Sequence, residues 1–156
     1  MKVPQVTIYA KSAGVEIGQY EKRSEGRPPE GRIALRFFRM ESGGAAIRFV
    51  AEPAEGFELY RKIHKVFRDG GKETLNHRFE GSEGEVVTRL TLERFERGAK
   101  TGFAFSVQRG EEEINVPASA ERFLHAAEFL RHLSLTQAWV VSSGDRERRP
   151  GSELNT

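Results

Sequence analysis

From Gln5 to Lys11 apolar and polar residues alternate, with Val6, Ile8 and Ala10 on one side and Gln5, Thr7, Tyr9 and Lys11 on the other. That period-two spacing predicts a half-buried strand. Val15 to Arg23 reads the same way, with Val15 and Ile17 inward and Tyr20 and Lys22 outward. Ser24 to Gly31 holds two Gly and two Pro and predicts a loop. Arg32 to Met40 sets Ile33, Leu35 and Phe37 against Ala34, Arg36 and Phe38. Gly43-Gly44 then predicts a hairpin turn, since only Gly takes positive φ freely, and Ala45 to Ala51 is the returning strand.

After Pro53 the period changes. Phe57, Tyr60, Ile63, His64 and Phe67 fall at helical spacing, so Ala54 to Arg68 predicts an amphipathic helix, stopped by Gly70-Gly71. The second half repeats the plan. Strands are expected over Lys72–Phe79, Val86–Phe95, Thr101–Arg109 and Glu112–Val116, with turns at Gly81–Gly84, Gly98 and Gly110. Ser119 is an N-cap candidate for a helix from Ala120 to about Leu133, marked by Phe123, Leu124, Ala127, Leu130 and Leu133. The expected fold is α+β: duplicated ββββα units forming two four-stranded antiparallel sheets with two helices packed as the core. The expected organisation is one domain, residues 1–141, made of halves 1–70 and 71–141, followed by a disordered tail over 142–156. Phe57, Tyr60, Phe67, Phe123, Leu130 and Leu133 are expected between sheets and helices.

Composition narrows the classes. Apolar residues are 37% of 156, but eleven Phe supply large buried areas. No apolar run reaches the roughly 18 residues of a spanning helix, and the start carries no leader pattern. The expectation is a cytoplasmic or nucleoid-associated protein. Cys is absent, which removes disulfides, thiolate nucleophiles and Cys-type zinc sites. The four His are too scattered for a shared metal, and His125 and His132 stand two helical turns apart. Neither a GxxxxGK[ST] loop nor a GxSxG elbow occurs. The sequence therefore points away from an enzyme and calls for no cofactor or metal.

Charge adds a direction. Residues 1–50 carry nine Lys/Arg against five Asp/Glu, residues 51–100 ten of each, and residues 101–156 six against eight. Eighteen of the bases are Arg, whose planar fork grips phosphate and stacks on rings. The outward strand positions interleave cations with aromatics on what the sequence suggests is one surface. Tyr9, Tyr20, Phe38 and Phe95 are the stacking candidates. Lys11, Lys22, Arg36, Arg48, Arg78 and Arg89 are the phosphate candidates. Rings for unstacked bases and cations for the backbone are what single-stranded nucleic acid requires. Ordinary cross-strand pairing, or an assembly surface rich in Arg, Tyr and Phe, accounts for the same residues.

The second half also carries a resemblance. The order Phe79-Glu-Gly81-Ser-Glu-Gly84, Leu90-Thr-Leu92, Phe103-Ala-Phe-Ser106-Val-Gln108, Ile114-Asn-Val-Pro117, Ala120-Glu-Arg-Phe123 and a helix running towards Trp139 resembles the C-terminal half of the Whirly proteins. The duplicated ββββα plan is shared by the Whirly, PUR and guide-RNA-binding groups, and an archaeal ThermoDBP type is a further kindred candidate. Tyr9 to Ala13 departs from the Whirly pattern. The resemblance implies sequence-independent single-stranded DNA binding, with RNA binding of the guide-RNA type or a protein-assembly role as alternatives. The expected partners are single-stranded DNA or RNA and further copies of the chain, as a dimer or tetramer, because sheet edges and an apolar helix end near Trp139 need cover.

Overall fold

A computed structural model of the chain describes residues 1–41 and 43–142. The tail expected over 142–156 lies outside the described residues from 143 onward. Two four-stranded antiparallel sheets form in chain order. Sheet A contains β1 (Gln5–Tyr9), β2 (Ala13–Lys22), β3 (Glu30–Arg39) and β4 (Ile47–Ala51). Helix α1 (Pro53–Asp69) follows. Sheet B contains β5 (Gly71–Gly81), β6 (Gly84–Arg97), β7 (Lys100–Arg109) and β8 (Glu112–Ala118), and α2 (Ala120–Thr136) follows it. This is the expected architecture. The β5–β6 ladder runs on to Gly81↔Gly84, beyond the expected ends, because the two-residue turn at Ser82-Glu83 lets pairing continue to the tip. The first strand is shorter than expected. It stops at Tyr9, and Lys11 sits in the turn closed by Ala10 N–H donating to the Ala13 carbonyl at 2.8 Å.

Alternation sends Val15, Ile17, Ile33, Leu35, Phe37 and Phe49 inward from sheet A, and Leu90, Leu92, Phe105, Val107 and Val116 inward from sheet B. The two helices join both sets in one hydrophobic cluster. Each buried aliphatic or Phe side chain contributes about 1.5–3 kcal/mol by leaving water.

Phe123, Leu130 and Leu133 are buried in that cluster as expected, while α1 is turned differently from the sequence reading. Its buried stripe is Gly56, Leu59, Ile63 and Val66. Phe57 and Phe67 are 43% and 36% exposed, and Tyr60 is half-buried. The cause is close packing at Gly56: a β-carbon there would overlap Ile33 Cδ1 and lie 3.5 Å from the Leu130 carbonyl oxygen. Only the aliphatic stripe fits this gap. Phe67 instead stacks on Phe103 at the rim, with ring centroids 5.5 Å apart.

The end of the described chain returns to the first sheet. Gly31 N–H donates to the Trp139 carbonyl and Val141 N–H to the Pro29 carbonyl, each at 2.9 Å. The buried Gln137 amide donates to the carbonyls of Tyr20 at 3.1 Å and Arg32 at 2.9 Å. The Trp139 indole, still 36% exposed, donates from Nε1 to the Gln137 side-chain oxygen at 3.2 Å. Gly31 is obligatory here, since a β-carbon would overlap the Gln137 carbonyl oxygen and approach Trp139 Nε1 to 2.8 Å. Gly31→Ala is expected to destabilise the fold by about 1–3 kcal/mol, the usual cost of overpacking. The urea midpoint should fall, and the emission of the single Trp should shift to the red as Trp139 is displaced; an unchanged spectrum would refute the docking role.

Candidate nucleic-acid interface

With both inner faces buried, the outward faces are the chain's broad exposed surfaces. The candidate residues fall on two of them, where the sequence suggested one. Tyr9, Tyr20, Lys22, Arg36, Phe38 and Arg48 share the outward face of sheet A by strand parity and register. Arg78, Arg89 and Phe95 lie on the outward face of sheet B. Lys11, in its turn, belongs to neither strand array.

On sheet A, Tyr9, Gly14 and Phe38 form one cross-strand row. Gly14 leaves a bare patch of backbone, and the Phe38 ring covers it, so a β-carbon at Gly14 would sit 2.8 Å from Phe38 Cε2. Tyr9 meets that ring edge-on at 6.1 Å and is itself 67% exposed. The Arg36 guanidinium stands 5.2 Å over the Phe38 ring and 4.0 Å from Glu16. Thr7, Glu16, Arg36 and Arg48 form the next row. Arg48 stands 5.6 Å from the centre of the Tyr20 ring.

Sheet B repeats the device. Phe95 pairs with Gly102 in register and its ring lies over that glycine, where a β-carbon would come within 3.0 Å of Cε1. Arg97 stands 5.3 Å over Phe95. Aromatic ring, glycine beneath and guanidinium above thus occur once on each sheet. The expected strand ends at Phe95 and so leaves out Arg97, whereas β6 continues to Arg97. The other sheet B cations are more engaged. Arg78 pairs with Glu85 at 2.6 Å, and Arg89 donates to Asn76 Oδ1 at 3.1 Å.

Two of the His are held by carboxylates from other elements. His64 on α1 lies 3.1 Å from Glu128 on α2, and the hydrogen bond from His64, then Arg131, holds the Glu128 carboxyl below its ordinary range. His77 on β5 stacks on Phe49 at 4.1 Å and contacts Glu55 Oε2 at 2.8 Å. Glu55 Oε1 accepts the Glu52 N–H at 2.9 Å, which caps α1. Burial pushes the Glu55 carboxyl up, but the hydrogen bonds from His77 and Glu52, with the fields of His77 and Arg32, outweigh it and leave the pKa lowered.

No family model matches the chain, and no curated protein matches it in sequence. Solved structures do. The plant transcriptional regulator PBF-2 is 17% identical, with 99% of this chain and 93% of that one covered and a TM-score of 0.54. WHY1 from Arabidopsis thaliana is 16% identical, with 88% and 92% covered and a TM-score of 0.55. The fold is the Whirly fold. Two antiparallel four-stranded sheets and two helices are thus common to that fold and this chain. Among the described residues, no helix is long and apolar enough to cross a membrane.

The lowered Glu55 carboxyl sets a pH dependence. Its contribution is complete above the ordinary carboxylate value of 4.5 and is lost as pH falls through the lower folded value. Glu55→Gln should reduce stability at pH 7 by about 1 kcal/mol, chiefly through the lost charge beside His77 and the helix N-terminus, since Gln can still accept the Glu52 N–H. The gap to wild type should narrow as pH falls below 4.5 and the Glu55 carboxyl takes up its proton. Urea midpoints from pH 7 to pH 3 check this; parallel profiles would remove Glu55 from the acid response.

Proposed function

We propose that the chain binds single-stranded DNA with little sequence preference, using the outward face of sheet A and the Phe95 region of sheet B. One observation carries the reading: each sheet holds a Phe ring over a glycine with an Arg guanidinium 5.2–5.3 Å from the ring centre. The ring is fixed before any ligand arrives, so little side-chain entropy is lost on stacking. A base can stack on the ring or on the guanidinium plane, and stacking is worth about 1–3 kcal/mol per base. Tyr9 and Tyr20 extend the aromatic surface. Lys22, Arg36 and Arg48 supply phosphate contacts on sheet A, and Arg78 and Arg89 on sheet B. Lys11 serves only as a marginal phosphate contact from its turn. The likeness to a plant transcriptional regulator supports the same reading. Because stacking and phosphate contacts dominate, RNA should bind within reach of DNA unless the 2′-OH is read.

The chain also acts, in this reading, as a homo-oligomer. The exposed Phe57 and half-buried Tyr60 line a broad groove along α1, and such residues favour subunit interfaces. Light scattering on the eluting protein should give a multiple of 17.6 kDa, and Phe57→Glu should lower it; a wild-type monomer would overturn this part.

Fluorescence anisotropy with labelled dT, rU and duplex oligonucleotides at two salt concentrations tests the main reading. Binding of dT should exceed duplex binding and fall steeply with salt, as released counterions require. Phe38→Ala and Phe95→Ala should each weaken dT binding about tenfold, one stacked base each. Arg36→Ala should also flatten the salt slope. If no oligonucleotide binds at low salt, the face is an assembly surface instead.

A further inference from the structure

Strands β4 and β5 are edge strands of different sheets. A cleft of about 510 Å³ opens between them, beside the start of α1, with Val50 on one wall and Phe79 and His77 on the other. A hollow of about 200 Å³ adjoins it, sharing Val50, His77 and Phe79. The larger volume falls in the range of small-molecule sites.

The cleft's chemistry is one-sided. Lys22, Arg32 and Arg78 line the larger part, and Arg48 and Arg109 the smaller. Against these five cations stand Glu52 and Glu55 in the lining, while Arg32 pairs with Glu30 at 3.3 Å and Arg78 with Glu85 at 2.6 Å beside it. Glu55 is already engaged by His77 and the Glu52 N–H. Lys22 makes no ion pair among the described residues, and its side chain is exposed. The apolar part is aromatic. His77 lies flat on Phe49, and Phe79 is 52% exposed with no ring partner among the described residues. A bare anion would use the cations but leave Phe79 idle. A planar ring bearing a phosphate uses both.

Two residues join the cleft to the faces described above. Arg48 lines the hollow and also covers Tyr20 on sheet A. Arg78 lines the cleft and stands on the outward face of sheet B. We propose that the cleft takes one nucleotide unit of the bound strand as that strand crosses from sheet A to sheet B. The base rests against Phe79 and His77, and the phosphate lies between Lys22 and Arg78, which line the same cleft. The crossing rests on the reading of the sheets as a nucleic-acid face; occupation of the cleft by a nucleotide does not.

The test is a titration of the ¹⁵N-labelled full chain with dTMP, thymidine and inorganic phosphate, alongside dT binding by Phe79→Ala and Val50→Trp. We expect dTMP to move the amides of Val50, His77 and Phe79, with thymidine and phosphate each at least about tenfold weaker. Phe79→Ala, an exposed position whose spectrum should otherwise match wild type, should weaken dT binding about tenfold. Val50→Trp should fill the cleft and do the same. If dT binds wild type and both variants equally and dTMP moves nothing, the cleft proposal fails while the sheet reading stands. If no oligonucleotide binds but dTMP still shifts these amides, the sheet reading fails and the cleft remains a mononucleotide site. Phosphate acting as well as dTMP would overturn the base contact.

Discussion

Unbroken register through eight strands is the constraint from which the rest of the molecule follows. In each sheet every strand keeps its pairing from end to end, so a side chain's parity decides its fate. Odd positions of β3 enter the core and even positions face out. A slip of one residue would bury Arg36 and expose Leu35. Burying one unpaired guanidinium costs several kcal/mol, so the core and the outward surface hold each other in place. The aromatic platforms inherit this. Phe38 can lie over Gly14, and Phe95 over Gly102, only because the register sets those residues side by side.

Most of the fold was legible because alternation, Gly turns and the N-cap at Ser119 are local signals. Ser119 does cap α2, accepting the Arg122 N–H at 3.3 Å. The orientation of α1 was not legible. The helix carries two neighbouring apolar stripes, and the larger, aromatic one invites burial. The choice is made by Gly56, which admits β3 and α2 close to the helix axis, and that depends on residues far away in sequence. Lys11 was misplaced for a related reason: polar-apolar alternation runs on into the turn, and only the Ala10 to Ala13 hydrogen bond ends the strand.

The candidate interface was legible as residue types and not as geometry. Parity places Tyr9, Tyr20, Arg36 and Phe38 on a common side, but it cannot say that the two halves point their outward faces apart. It also hides the pairing of Phe95 with Gly102, which needs the register of β6 on β7. The seam between β4 and β5 left no trace in either strand alone. It exists because two edges from different sheets meet beside the capped start of α1, where His77 reaches Glu55.

The return of Gln137, Trp139 and Val140 to the start of β3 has a temporal meaning. The Gln137 amide satisfies carbonyls 117 and 105 residues upstream. Contacts so distant in sequence close late, because the loop entropy they need is recovered only after the intervening chain is ordered. During synthesis sheet A must therefore wait, its Tyr20 and Arg32 carbonyls hydrated and its end open, until sheet B and α2 have been made. The first half of the chain is in this sense a template that its own last turn completes, and a ribosome pausing before Gln137 would present an unfinished sheet edge to whatever strand lay nearest.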